Sequence, residues 1–159
     1  MMKISRHVAL ITLAFAASGA WAQAAAPVGG AQDHAGFVKA VRGTAQLLAA
    51  DGVARPAKAG DRVGQVDRIV TEADSAVSLV LRDGTTLVVG PSSRLDVKEF
   101  HFDSTTQDGG ILVSLLRGSL RMITGLIGKT NPDAVRVETQ TATIGIRGTD
   151  FIVTSDVQQ

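Results

Sequence analysis

VSLVLRDGTTLVVGPSSRLDV, residues 77–97, decides the fold. Val77, Leu79 and Leu81 alternate with Ser78, Val80 and Arg82, so one face of an extended segment is apolar and the other mixed. Asp83-Gly84 follows as a strong turn pair: Asp bonds backbone two residues on, and Gly accepts a positive φ without strain. Leu87 and Val89 continue on a second strand, Pro91-Ser92 mark a corner, and Leu95 and Val97 form a third run. Strands that succeed one another at roughly ten-residue spacing predict a sandwich, barrel or solenoid.

The same texture extends towards the C-terminus. Ile111, Val113 and Leu115 alternate, Arg117-Gly118 breaks the run, and Leu120 and Met122 resume it. Val135, Val137 and Thr139 alternate, as do Phe151 and Val153. Glycines sit mostly at the ends of these runs, where sharp corners need a positive φ. No stretch beyond the N-terminal segment keeps a helical period for the length of a stable helix, although residues 23–35 or 123–130 could hold a short one. The expected fold class is all-β: a wound, solenoid-like or sandwich-like sheet of short strands with glycine corners, with a compact β-sandwich as the alternative.

Residues 1–22 read as a secretory signal peptide. Lys3 and Arg6 form the positive start, Val8 to Ala17 the apolar stretch, and Ala20-Trp21-Ala22 an A-x-A-type cleavage site. The apolar stretch falls short of the roughly 20 residues of a membrane-spanning helix. No second apolar span follows, so no transmembrane segment is expected after cleavage. Residues 23–35, with Pro27 and a Gly pair, read as a flexible leader, and residues 36–159 as one β-domain. Loss of Lys3 and Arg6 takes the formal net charge from +1 to −1. A near-neutral domain offers no electrostatic footprint for nucleic acid. The chain has no cysteine, hence neither disulfides nor a thiolate nucleophile.

Fragments of catalytic motifs occur without the residues that make them work. Asp83-Gly84-Thr85 looks like part of the haloacid-dehalogenase phosphatase motif, but the nucleophilic carboxylate belongs at position 81, which is Leu. Gly128-Lys129-Thr130 ends like a phosphate loop, but the Gly required five positions earlier is Ile123, so a loop between strands is expected. His101, between Phe100 and Phe102, is expected to point outward from a strand; Asp96, Glu99 and Asp103 are near in sequence without metal-ligand spacing. His34 lies in the leader. Asp61, Asp67, Asp74 and Asp83 are spaced as turn formers rather than as a calcium loop. No G-x-S-x-G pattern marks a nucleophilic serine, and no spacing nominates a glycosidase carboxylate pair. The chain is therefore expected to be no enzyme and to carry no cofactor or metal.

Residues 139–153, TQTATIGIRGTDFIV, carry the most distinctive pattern. Arg147 stands between Gly145 and Gly148, whose missing side chains are expected to let another backbone approach. Arg147 is then expected to donate to carbonyls at a crowded corner, or to pair with Asp150 or a carboxylate elsewhere, with presentation to an anionic ligand as the alternative. Asp83, Gly84, Thr85, Gly145, Arg147, Gly148, Thr149 and Phe151 are the expected structural or contact motif residues.

Five segments in order resemble the FecR-domain family: GFVKAVRGTAQLL (36–48), GDRVGQVDRIVTEADS (60–75), the strand–DGT–strand–Pro-x-Ser–strand unit at 77–97, LLRGSLRMITG (115–125), and the T-x-x-A-x-x-x-x-RGT-x-F element ending at Phe151. The likeness covers roughly residues 36–154. It implies a bacterial envelope-signalling module, often for ferric-siderophore uptake. In the prototype a cytoplasmic segment acts on an extracytoplasmic-function sigma factor, and a membrane helix joins it to a periplasmic domain that senses an outer-membrane receptor. Here a signal peptide is expected in the place of the first two parts, and no additional receptor-contacting domain is expected after residue 159. What carries over is the β-domain and its contacts in the envelope. The expected function is thus a periplasmic or secreted, non-enzymatic module that binds a protein partner or ligand, for which exposed strand edges offer β-augmentation. A structural or self-associating envelope protein is the alternative.

Overall fold

The computed structural model describes residues 34–156. The expected signal peptide at 1–22 and residues 23–33 of the expected leader lie outside the described residues. The strands are β1 (His34–Arg42), β2 (Ala45–Leu48), β3 (Ala54–Pro56), β4 (Arg62–Gly64), β5 (Arg68–Thr71), β6 (Ala76–Leu81), β7 (Thr86–Val89), β8 (Arg94–Phe102), β9 (Gly109–Ile123), β10 (Val135–Glu138), β11 (Thr143–Gly145) and β12 (Asp150–Ser155). One short helix, α1 (Leu126–Thr130), and a single 3-10 turn at Pro132–Ala134 separate β9 from β10. The fold is all-β, a curled open half-barrel compatible with both the wound and the sandwich-like reading. His34 and Ala35 open β1 instead of ending a leader, because Gly36 and the residues beside it pair with β4 and β6.

β9 organises the sheet. Its first half pairs with β8 on one side and, in parallel, with β10 on the other. Its second half pairs with β7 and β12. From there the order runs outward as β9-β8-β5-β2-β3 and as β9-β7-β6-β1-β4, while β11 extends β10. A straight strand of this length would hold Gly109 and Ile123 about 46 Å apart, and the chain from Ile123 to Ile127 reaches at most about 14 Å. Ile127 nevertheless lies against Gly109. The strand must therefore curl back on itself, and this curvature winds the sheet into a half-barrel.

The apolar pattern foretells where β9 bends. Buried positions run odd through Ile111, Val113 and Leu115, then even through Leu120 and Met122. A strand has period two, so the apolar face stays inward across that change only if one residue drops out of register. The irregularity lies between Leu115 and Arg117, and Gly118 takes φ +89°. A side chain at Gly118 would also strike Ser93, whose hydroxyl accepts the Ser119 N–H at 3.0 Å. Ser93 is locked in turn, donating its N–H to Thr71 Oγ1 at 2.9 Å. The Pro91-Ser92-Ser93 corner is thus tied to the bend, and the Arg117-Gly118 break seen in the sequence is a kink within one strand.

The alternation in 77–97 is realised residue by residue. Val77, Leu79 and Leu81 on β6, Leu87 and Val89 on β7, and Leu95 and Val97 on β8 are all buried. They join Leu47, Ile69, Phe100, Leu115, Leu120 and Met122 in one contiguous core. Each such side chain contributes roughly 1.5–3 kcal/mol of burial, which lets a chain without disulfides hold its shape. Among the described residues no helix is long and apolar enough to cross a membrane.

Candidate functional site

The turn between β6 and β7 is a buried knot. Asp83 is 2% exposed and Thr85 fully buried. Asp83 Oδ1 accepts the Thr85 N–H at 3.0 Å, and Oδ2 accepts the Thr85 hydroxyl at 2.7 Å. Gly84, at φ +84°, donates its N–H to the Leu81 carbonyl and closes the turn. The expected hairpin is present, and it does more than turn the chain.

A second segment plugs into this knot. Gly125 donates its N–H to Thr85 Oγ1 at 2.9 Å, and Leu126 donates to the Asp83 carbonyl at 2.9 Å. A Cβ at Gly125 would collide with the Asp83 carbonyl and the Thr85 nitrogen. Thr124, one residue earlier, donates its N–H to the Thr149 carbonyl at 2.9 Å and its hydroxyl to the Gly148 carbonyl at 3.2 Å. Thr124-Gly125 therefore rivets the Asp83-Gly84-Thr85 turn to the Gly148-Thr149 turn, which lies more than sixty residues further along the chain.

Of the readings offered for Arg147, only the pairing with a carboxylate elsewhere is met. Arg147 bonds no carbonyl; its guanidinium reaches only Asp133, at 3.7 Å, with both side chains largely exposed. Asp150 is taken instead by Arg121 in a two-pronged pair at 2.9 and 2.6 Å. Arg121 sits beside β12, across from Ile152 with Asp150 two pairs along the ladder, whereas Arg147 lies before that strand begins. Arg121 holds the Asp150 carboxyl below its usual value, chiefly through these hydrogen bonds. Nothing lies within 4 Å of a Cβ placed on Gly145 or Gly148, so no backbone packs into the space their missing side chains leave. Gly148 is required instead by its φ of +146°. Phe151 packs half-buried against the core.

The riveted turn positions the walls of an open groove of about 1140 Å³ at the tip of the β8–β9 hairpin. Arg82, next to Asp83, lays its guanidinium over the Phe100 ring, 5.5 Å from the centroid. The Gln65 amide donates to the Phe100 carbonyl. On the opposite wall α1, anchored through Leu126, leads to Asn131, and Ile127 packs against Gly109. The segment 126–130 is a short helix, inside the 123–130 stretch where the sequence allowed one, with its backbone held by Asp83 and no phosphate cradle. His101 points outward, as expected, and its ring fills the space left by Gly110 across the ladder.

The groove floor is a self-bonded loop. Asp103 Oδ1 accepts the N–H groups of Thr105 at 2.7 Å and Thr106 at 3.2 Å, and these bonds hold its carboxyl below the usual value. Gln107 donates to the Asp103 carbonyl, and Asp103 to that of Asp108. Arg82, His101, Asp103, Asp108, Gln65 and Asn131 together present donors and acceptors of both signs. No group of three or more metal-ligating side chains occurs among the described residues. Asp61 and Asp67 cap turns by accepting the Lys58 and Gly64 N–H groups, and Asp74 sits at φ +58° in a turn, as their spacing implies.

Sequence reading missed the Thr124-Gly125 rivet and the groove. Gly125 reads as punctuation until its neighbours are known. The Asp103-to-Asp108 segment did carry a signal, an Asp two and three residues ahead of two threonines, which is an Asx-turn pattern.

The pattern of the family described as FecR protein matches residues 67–159, from just before β5 through β12 and on to the C-terminus. The chain belongs to the FecR family. No curated protein and no solved structure matches it. The family is one of regulatory, signalling domains that work through partners. Both riveted turns and the curled β9 lie inside the matched stretch. β1 to β4 precede the match, although the resemblance read from the sequence begins at residue 36.

Proposed function

We propose that this FecR domain is a non-enzymatic binding module of the bacterial envelope, periplasmic or secreted, that signals by docking a partner protein in the groove at the β8–β9 tip. The observation that carries this reading is the coupling of the family's DGT turn to both groove walls, Arg82 on one side and α1 with Asn131 on the other. The groove's mixed charges and amides suit an extended polypeptide, whose backbone offers donors and acceptors in equal number. Its polar lining of mixed donors and acceptors supports contact with a partner. The signal-peptide pattern at 1–22 supports export, and the family supports a role in signalling, with iron-uptake regulation as one setting.

The test compares envelope extracts cross-linked to the wild-type protein and to an Arg82→Ala/Asp103→Ala variant. A protein captured by the first and lost by the second is expected. Equal capture by both, or capture of nothing, sinks the groove as the docking site. Cell fractionation and N-terminal sequencing of the mature protein check export, with Gln23 as the expected first residue.

A further inference from the structure

Among the described residues β12 has a partner on one side only, β9. The Thr124 N–H bonded to the Thr149 carbonyl sets the phase of that ladder. Odd-numbered residues of β12 turn their N–H and C=O groups to β9, so Asp150, Ile152 and Thr154 turn theirs to the open edge. Ile152 is also the most exposed large apolar residue among those described, at 68%. Natural sheets protect such an edge with charge, proline, a bulge or a covering element. Here the one charge near its start, Asp150, is already engaged by Arg121.

We propose that a second copy of this chain covers this edge, the two β12 strands pairing antiparallel about a two-fold axis at Ile152. The register follows from the residues. Centring on Ile152 sets it against its own copy and sets Asp150 opposite Thr154 of the second copy. All three open-edge residues then meet open-edge residues, and each facing pair exchanges two hydrogen bonds. On the inner face Phe151, half-buried in one chain, meets Val153 of the other and extends the core. A shift of two residues one way sets Asp150 against Asp156 of the second copy, a like-charge pair that opposes pairing. A shift the other way draws Gly148, at φ +146°, into the ladder. The self-paired edge joins the β9–β12 sheets of two molecules into one and closes an isologous dimer.

The chain lacks cysteine, so an introduced thiol has no competitor. The whole chain, as its host processes it, is examined by light scattering up to roughly 100 µM, where small interfaces of the weak class associate. A concentration-dependent dimer is expected, and Ile152→Lys, at an exposed position, is expected to leave a folded monomer. Under mild oxidation Ile152→Cys is expected to form a disulfide dimer, since facing Cα atoms in such a pair lie about 5.5 Å apart and within disulfide reach. Thr154→Cys, whose copy lies four residues out of register, is expected to give at least about tenfold less. A monomer at every concentration, assembly beyond a dimer, a dimer that survives Ile152→Lys, or equal cross-linking of the two cysteine variants would each overturn the proposal.

Discussion

Replacing Asp83 by Ala tests whether the DGT turn is a structural knot. The carboxylate, 2% exposed, accepts two hydrogen bonds from Thr85. Hydrogen bonds to charged groups are worth roughly 1.5–3 kcal/mol each, and the orphaned Thr85 N–H has no water to turn to. The expected loss is therefore about 3–5 kcal/mol, a large share of the roughly 5–15 kcal/mol that holds a domain of this size. Thr85→Val keeps the shape but removes the hydroxyl, which strands Asp83 Oδ2 and the Gly125 N–H; about 2–4 kcal/mol is expected. Both variants break the same Thr85–Asp83 bond, so the double variant should fall short of additivity by about 1–3 kcal/mol. Urea unfolding followed by circular dichroism measures all three, provided the slope m stays constant so that midpoints report stability. Two single losses under about 1 kcal/mol, or strict additivity, would refute the account of a shared buried knot.

Glycine substitutions separate lack of space from backbone freedom. Gly84→Ala has open space at φ +84° and should cost about 1–2 kcal/mol, while Gly118→Ala meets both φ +89° and Ser93 and should cost about 2–5 kcal/mol. Thermal or urea midpoints rank them, and equal losses would contradict the tight contact at Ser93. Asp150 and Asp103 are both held below the usual 3.8. A depressed carboxyl contributes stability above its unfolded value and loses it as pH falls through the folded one. Stability should therefore fall more steeply below about pH 4 in the wild type than in Asp150→Asn/Asp103→Asn, read from unfolding midpoints across an acid series. Arg147→Ala should change stability by less than about 0.5 kcal/mol, since its contact with Asp133 is loose and exposed; a larger loss would restore the structural role its sequence context implies.

The contrast between Asp83 and Arg147 explains how far the sequence could be read. Alternation and turn chemistry are local, so the strands of 77–97, the Asp83-Gly84 hairpin and the outward His101 all follow from neighbours within a few residues. Even the kink of β9 is legible once parity is tracked: apolar positions change from odd to even between Leu115 and Leu120, and a strand cannot keep both inward without a slip. What fails is inference about a side chain's distant partner. Arg147 could have reached Asp150 by sequence proximity, but the antiparallel pairing of β12 with β9 puts Arg121 beside that carboxylate first. Gly145 and Gly148 invited a close approach that takes place at Gly125 instead, because the chain meeting the DGT turn comes from beyond β9. The groove is illegible for the same reason. Its walls come from Gln65, Arg82, the β8–β9 tip and Asn131, which only the curl of β9 brings together. Asp83 and Thr85, which looked like part of a site, thus act one step back from the groove: with Gly125, which the sequence did not single out, they tie the end of β9 to the turn beside Arg82.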